Sequence, residues 1–172
     1  GLVLEARWSA RWTGETWSGT LAGRPVVVKR VDEAADPFAA ARLAREVVAL
    51  RRSQGDGVPE VLVTGRSGPW AYAAFDRIDG GDLRRVRPTG PISAAGLASA
   101  LEPVASVLAR AHTAGVVHRD LSPGNVVLGP VGGVVVDFGA CALDGAAFDG
   151  WSGTGTPLAV ATEGFTPPEG PG

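Results

Sequence analysis

The stretch "VHRDLSPGNVVLGPVGGVVVDFG", residues 117–139, constrains the fold more than any other part of the chain. Its apolar runs, "NVVLG" and "GVVVDFG", are too short for helices and meet at a Gly/Pro turn, so they read as two short strands around that turn. Asp137 ends one strand and Asn125 begins the other, which brings both side chains out beside each other at one end of the hairpin. Asp120 stands five residues before Asn125. Hard oxygen donors of this kind suit a divalent cation such as magnesium, and a carboxylate beside them can accept or orient a hydroxyl proton. By itself, however, "HRD" reads first as a solvated turn next to a hydrogen-bonded core histidine. The run is therefore either the floor of a phosphate-transfer site or a hairpin with charged ends.

The rest of the chain supplies the setting. From Gly14 to Arg30 the sequence alternates, turns at "LAGRP" and condenses into "RPVVVKR", a hairpin. "DPFAAARLAREVVALRR" follows as a helix, with Asp36 at its N-cap, Pro37 in its first turn and Phe38, Leu43, Val47 and Leu50 at helical spacing. "GVPEVLVTG" and "WAYAAFDRI" read as two further strands, closing a small sheet that carries one helix. "DGGDLRRV" breaks the strand pattern and is too short for a disordered linker, so it reads as a hinge. After Pro91, Leu97, Leu101, Val104, Leu108 and Ala111 form the stripe of a second helix, stopped by Gly115. Beyond Gly139 a long Gly-, Thr- and Pro-rich segment is expected as an extended surface loop.

Composition narrows the function classes. A chain of 172 residues is about one domain, and with 45% hydrophobic residues and no apolar run near the ~20 needed to span a bilayer it is expected to be soluble. A net charge of −2 offers no general basic surface, so nucleic acid is not an expected partner. The single cysteine, Cys141, cannot make an internal disulfide and fits a reducing, cytoplasmic setting; it reads as a small buried hydrophobe. The chain has no methionine and its start lacks a signal-peptide pattern, so a piece of a longer or processed protein is expected. Fifteen arginines and one lysine, Lys29, make up the 16 basic residues. Where arginine has displaced lysine everywhere else, the remaining lysine invites a chemical reason.

"HRDLSPGN" followed by "DFG", with "VVVKR" and a helix glutamate upstream, resembles the eukaryotic-type protein kinase domain in its bacterial serine/threonine form. The resemblance implies an α+β fold of two lobes: residues 1–79 as a nucleotide-binding lobe of antiparallel sheet plus one helix, and 80–172 as an incomplete, mainly helical lobe. It implies ATP and Mg²⁺, with Asn125 and Asp137 as metal ligands, Asp120 as catalytic base, and Lys29 reaching the phosphates while paired with Glu46. Gly14 would end the phosphate loop. Val27 and Val127 would sandwich adenine, with Phe75 as gatekeeper, the backbone of Asp76 and Ile78 toward the ring, and Asp82 toward the ribose. His118 would brace the loop against Phe138 rather than act as a ligand.

The sequence departs from the family in four ways, one of them at Val27, which stands where a smaller residue is usual and would narrow the adenine slot. The G-x-G-x-x-G pattern falls on Ser9, Arg11 and Gly14, so one glycine survives, and Trp8, Arg11 and Trp12 add bulk where backbone amides must approach phosphate. Ser122 stands where the family commonly has lysine, which removes a γ-phosphate contact. The chain ends three residues after Glu169, before the helices that complete the large lobe, so a truncated domain with exposed apolar surface is expected, a docking patch for those helices or for a partner. "TEGFTPPEG" resembles the A-P-E end of an activation segment, with Pro167, Pro168 and Glu169 in place and Thr162 as the threonine of serine/threonine enzymes. Arg119 beside Asp120 implies switching by loop phosphorylation, for which Ser152, Thr154 and Thr156 are candidates. The expected activity is transfer of the γ-phosphate of ATP to a protein hydroxyl. The alternatives are a pseudokinase that binds nucleotide or acts as a scaffold without efficient catalysis, and a small-molecule phosphotransferase of the same fold.

Overall fold

The computed structural model describes residues 1–11, 14–36, 38–85, 93–129 and 132–144. Five antiparallel strands form the main sheet: β1 (Leu2–Arg11), β2 (Gly14–Leu21), β3 (Arg24–Asp32), β4 (Val61–Ser67) and β5 (Trp70–Asp76), in the order β1-β2-β3-β5-β4. The turn between β2 and β3 has positive φ at both Ala22 (51°) and Gly23 (83°), the backbone twist that suits a two-residue hairpin. β1 is not apparent in the sequence, because register shifts near Leu4 and Arg7 break its alternation. Its seat on β2 is close: a Cβ on Gly19 would lie 2.2 Å from the Val3 carbonyl oxygen.

The alternation of β3 divides its side chains between the sheet's two faces. Val26 and Val28 are buried on the outer face with Ala74, under Leu4, Trp17, Val63 and Tyr72. Lys29 and Val31 point the other way, toward the helix α1 (Ala39–Arg52). There Leu43, Val47 and Leu50 enter the core as their spacing predicts, but Phe38 does not and stays exposed. The expected cap also differs. Phe38 occupies the N-cap position, while the Asp36 carboxylate accepts from the Phe38 N–H at 2.9 Å and pairs with Arg42. An aspartate that bonds two residues ahead closes its own turn, so the helix starts after it. Pro37 lies outside the described residues.

The second helix, α2 (Ala94–Thr113), is capped by Ser93, whose hydroxyl accepts from the Gly96 N–H at 3.0 Å. It ends at Gly115, where φ is +69°. Its buried line runs through Val104, Val107 and Ala111, with Leu101 and Leu108 beside it and Leu97 left exposed. Two small sheets follow the hinge. β6 (Gly81–Asp82), β8 (Val126–Gly129) and β9 (Gly132–Val135) form one sheet in the order β6-β8-β9, and β7 (Val116–Val117) pairs with β10 (Ala142–Leu143). The hairpin of β8 and β9 is the one read from the sequence. The two-residue strands β6, β7 and β10 are too short to carry any periodicity.

One apolar core runs through both halves of the molecule. It joins the inner face of the main sheet and α1 to α2 and the β8–β9 hairpin, with fully buried Phe138, Val107, Val116 and Val135 in it. Polar ties reinforce this join: the Arg110 guanidinium donates to the carbonyls of Ser53 (3.1 Å) and Asp56 (2.7 Å), and the Val135 N–H donates to Gly57 O at 2.8 Å. Among the described residues no helix is long and apolar enough to cross a membrane.

Candidate active site

Lys29 is the point where three elements meet. Carried by β3, its ammonium donates to Glu46 Oε1 on α1 at 2.5 Å and to Asp137 Oδ1, just after β9, at 2.7 Å. The Lys29 side chain is 23% exposed, Glu46 6% and Asp137 52%, so the cluster grades from core to surface. Burial would lower the lysine pKa, but the two carboxylates outweigh it and hold the group above the ordinary lysine value. Burial pushes the Glu46 carboxyl up and the charge of Asp137 adds to this, opposed by Lys29 and by the Phe138 N–H. Lys29 in turn holds the Asp137 carboxyl below its usual value, against burial. Asp137 reaches the lysine from a left-handed backbone, φ +63°, a conformation costly for a residue with a side chain and here compensated by the ion pair.

The catalytic-loop candidates form a second, adjoining group. Asn125 Nδ2 donates to Asp120 O at 2.7 Å and to Asp120 Oδ2 at 3.1 Å, fixing the carboxylate against the start of β8. The Val136 N–H donates to Asn125 O at 2.9 Å, which ties this loop to the strand that delivers Asp137. His118 is buried and packs edge-on against Phe138 with ring centroids 4.6 Å apart. Its Nε2 donates to Val136 O at 3.2 Å, and Nδ1 accepts from the Asp120 N–H at 3.3 Å, so the ring is neutral and braces both groups. Burial lowers its pKa below 6.5 despite the nearby carbonyl and carboxylates. Cys141 is buried as well, and burial pushes its thiol up to about 11, which makes it a packing residue.

The donor set fits a magnesium ion. Asn125 commits its amide N–H groups to Asp120, leaving Oδ1 as its donor, and Asp137 has Oδ2 beyond the oxygen on Lys29. Among the described residues no group of three or more His, Cys, Asp or Glu side chains converges as a metal cage. Magnesium is commonly held by one or two protein oxygens together with substrate phosphates and water, which matches such a sparse, half-exposed pair.

The remaining candidates stand on the strands and links that flank this centre. Val27 lies two residues before Lys29 on β3, opposite buried Phe75 of β5. Val127 pairs with Asp82 across β8 and β6. Asp76 ends β5 and uses its N–H on Glu60 O at 2.9 Å, and Ile78 lies in the link that follows, its methyl beside Gly129. The Asp82 carboxylate caps its own turn, accepting from the Arg85 N–H at 3.0 Å, and pairs with the Arg85 side chain at 3.2 Å. Gly14 has φ +139°, and a Cβ there would sit 2.6 Å from Arg30 O, so glycine is required at this position on packing grounds alone. Beside it Glu15 accepts from Arg7 (3.0 Å), Trp17 Nε1 (2.9 Å) and Arg30 (2.7 Å), and the Arg30 guanidinium lies against the Trp17 and Trp70 rings. This network anchors the turn end of the β1–β2 hairpin. Trp12 and the candidates at Ser152, Thr154, Thr156, Thr162, Pro167, Pro168 and Glu169 lie outside the described residues.

Two neighbours of the site were not read from the sequence. Thr16 lies opposite Lys29 across β2 and β3, and the alternation that begins at Gly14 could have pointed to it. The Phe138 N–H favours the charged form of the Glu46 carboxyl, a backbone influence that no side-chain pattern reveals.

Residues 15–170 match the protein kinase domain family. The chain is 39% identical over 133 residues to a probable serine/threonine-protein kinase of Corynebacterium efficiens, covering 72% of this chain and 20% of that protein. It is 33% identical over 150 residues to the serine/threonine-protein kinase PknL of Mycobacterium tuberculosis (85% and 37%). It is also 34% identical over 174 residues to the serine/threonine-protein kinase PkaA of Streptomyces coelicolor (95% and 32%). The chain thus spans between a fifth and two fifths of these relatives. With the kinase motifs in order along the sequence and that match running over nearly its whole length, the chain belongs to the protein kinase domain family.

Proposed function

We propose that this protein is an ATP-dependent serine/threonine kinase that transfers a γ-phosphate to a protein hydroxyl in the cytoplasm. Residues 1–79 serve as its nucleotide-binding lobe and 80–172 carry the acceptor side. The observation that carries the reading is the ammonium of Lys29 bonded at once to Glu46 and Asp137, with the Asp120–Asn125 pair tied to the same strand. A structural ion pair needs two partners; a third charge, half-exposed in a cleft, fits a phosphate-binding centre better.

In this reading ATP lies between Val27 and Val127, with the backbone of Asp76 and Ile78 toward adenine and Asp82 toward the ribose. Glu46 holds Lys29 extended toward the phosphates, and Gly14 ends the loop above them. Asn125 and Asp137 would hold Mg²⁺, which when bound neutralises phosphate charge. Asp120 orients the acceptor hydroxyl and takes its proton as the new O–P bond forms and the bond to the departing ADP oxygen breaks. The relatives, named as serine/threonine-protein kinases, favour a protein acceptor over a small molecule. A second reading, nucleotide binding without transfer, draws support from Ser122 and from the single glycine of the phosphate loop. Labelled ATP with magnesium separates them: the intact protein transfers phosphate to itself or a generic protein acceptor, and Asp120→Asn abolishes transfer while nucleotide still binds. Tight binding with no transfer by the unaltered protein would decide for the second reading.

A further inference from the structure

Arg84 brings a cation to the catalytic loop from a distant part of the chain. Its backbone N–H donates to Pro123 O at 3.1 Å, and its guanidinium lies over Gly124: a Cβ on that glycine would meet Arg84 Cζ at 3.6 Å, Nη2 at 3.7 Å and Ser122 Oγ at 3.7 Å. The space above Gly124 is therefore flanked by a guanidinium and a hydroxyl. The Arg84 side chain is 68% exposed, and Arg85 stands exposed beside it. Among the described residues one carboxylate, Asp82, pairs with both, at 3.7 Å and 3.2 Å, which leaves these two arginines with a surplus positive charge.

The sheet order says which substrate the charge addresses. β8 lies between β6 and β9, so Arg84, just after β6, and Asp137, just after β9, extend from opposite edges, about 10 Å apart at two strand spacings. Lys29 and Asp137 are given to the phosphates and Asp82 on β6 to the ribose, but Arg84, two residues on, turns to the loop of Asp120, bonded to Pro123 O and lying over Gly124.

We propose that Arg84, supported by Arg85, selects the protein substrate by receiving an acidic side chain within a few residues of the hydroxyl to be phosphorylated. The inference rests on the kinase reading above and names the acceptor class for that site. A substrate carboxylate laid on Gly124 can accept from the exposed Arg84 guanidinium, a charge-assisted arrangement.

The test uses serine peptides that differ only in having Glu, Ala or Arg at the flanking positions. Both kcat/KM and binding by fluorescence anisotropy are measured on the intact protein and on Arg84→Glu and Arg84→Gln. The unaltered protein should favour the Glu peptide over the Ala peptide by roughly tenfold, a preference lost in Arg84→Gln and turned toward the Arg peptide in Arg84→Glu, with KM for ATP unchanged. An active enzyme whose peptide preference survives both substitutions, or a change confined to KM for ATP, overturns the assignment and leaves the kinase reading intact. Charge-dependent peptide binding that vanishes in Arg84→Glu, with no transfer by the unaltered protein, does the reverse.

Discussion

Lys29→Met removes the ammonium that touches both Glu46 and Asp137. Breaking a buried pair by deleting one partner costs about 3 to 5 kcal/mol, because the other charge stays buried. Here the lower end applies: Asp137 is half-exposed and can hydrate, so its share is screened, whereas Glu46 keeps the Phe138 N–H but little water. A loss of about 3 kcal/mol corresponds to a melting temperature lower by about 6 to 12 °C for a domain of this size. The loss also depends on pH, with a definite sign. Burial already raises the Glu46 carboxyl above 4.5, and without the lysine it rises further. A carboxyl whose folded pKa is raised contributes stability that is fully present below the unfolded value and lost as pH rises through the folded one. Urea unfolding should therefore give Lys29→Met a deficit, relative to the unaltered protein, that grows from pH 5 to pH 8. Adding Glu46→Gln should recover at least half of it by neutralising the stranded group. A deficit that is flat across this range, with no recovery in the double variant, would refute the argument that Lys29 compensates a buried charge.

His118 gives a second pH dependence of opposite sign. Burial holds its folded pKa below 6.5, so its contribution is present above 6.5 and lost as pH falls through the lower folded value, at up to about 1.4 kcal/mol per pH unit. Urea midpoints measured between pH 7.5 and 5 should fall, and His118→Asn should flatten the profile; a midpoint that does not move in the unaltered protein would contradict the buried neutral ring. Gly19→Ala should cost about 2 to 3 kcal/mol, since the added Cβ would lie 2.2 Å from the Val3 carbonyl oxygen, a backbone atom that can yield only if β1 lifts. Thermal unfolding and faster amide exchange along β1 check this, and an alanine variant as stable as the parent would mean that β1 does not pair in this register.

What was legible in the sequence was whatever local chemistry repeats or punctuates. The β2–β3 hairpin announced itself through "LAGRP" and alternation, α1 through Leu43, Val47 and Leu50, and the β8–β9 hairpin through two apolar runs around a turn. β1 escaped because its two register shifts spoil the period of two, and its partner, not its own pattern, makes it a strand. The start of α1 was misplaced because an aspartate ahead of a helix can cap the helix or close its own turn, and Asp36 does the second. The residues of the candidate site could be named because the kinase motifs fix them in order, yet their contacts could not. Nothing in the sequence says that the Lys29 ammonium reaches Asp137, 108 residues away, or that Arg84 comes to lie over Gly124.

The single lysine among fifteen arginines now has a geometric reason. Its ammonium sits between two carboxylates that approach from different elements, at 2.5 Å and 2.7 Å, and neither meets it as a planar fork. A compact tetrahedral donor on a flexible stem can point separate N–H groups in those two directions. A guanidinium holds its donors in one plane, suited to a bidentate partner, and is bulkier at the tip. The other ion pairs of the chain tolerate that shape: Arg30 lies flat against two tryptophan rings while bonding Glu15, and Arg66 binds Glu33 through two nitrogens. At the exposed surface Arg24 also spans two carboxylates, Glu60 and Asp76, with its wide head; lysine is used where two carboxylates share one point charge at a partly buried position. The same reasoning makes Lys29→Arg a non-conservative change here, since the wider head must displace either Glu46 or Asp137 to fit.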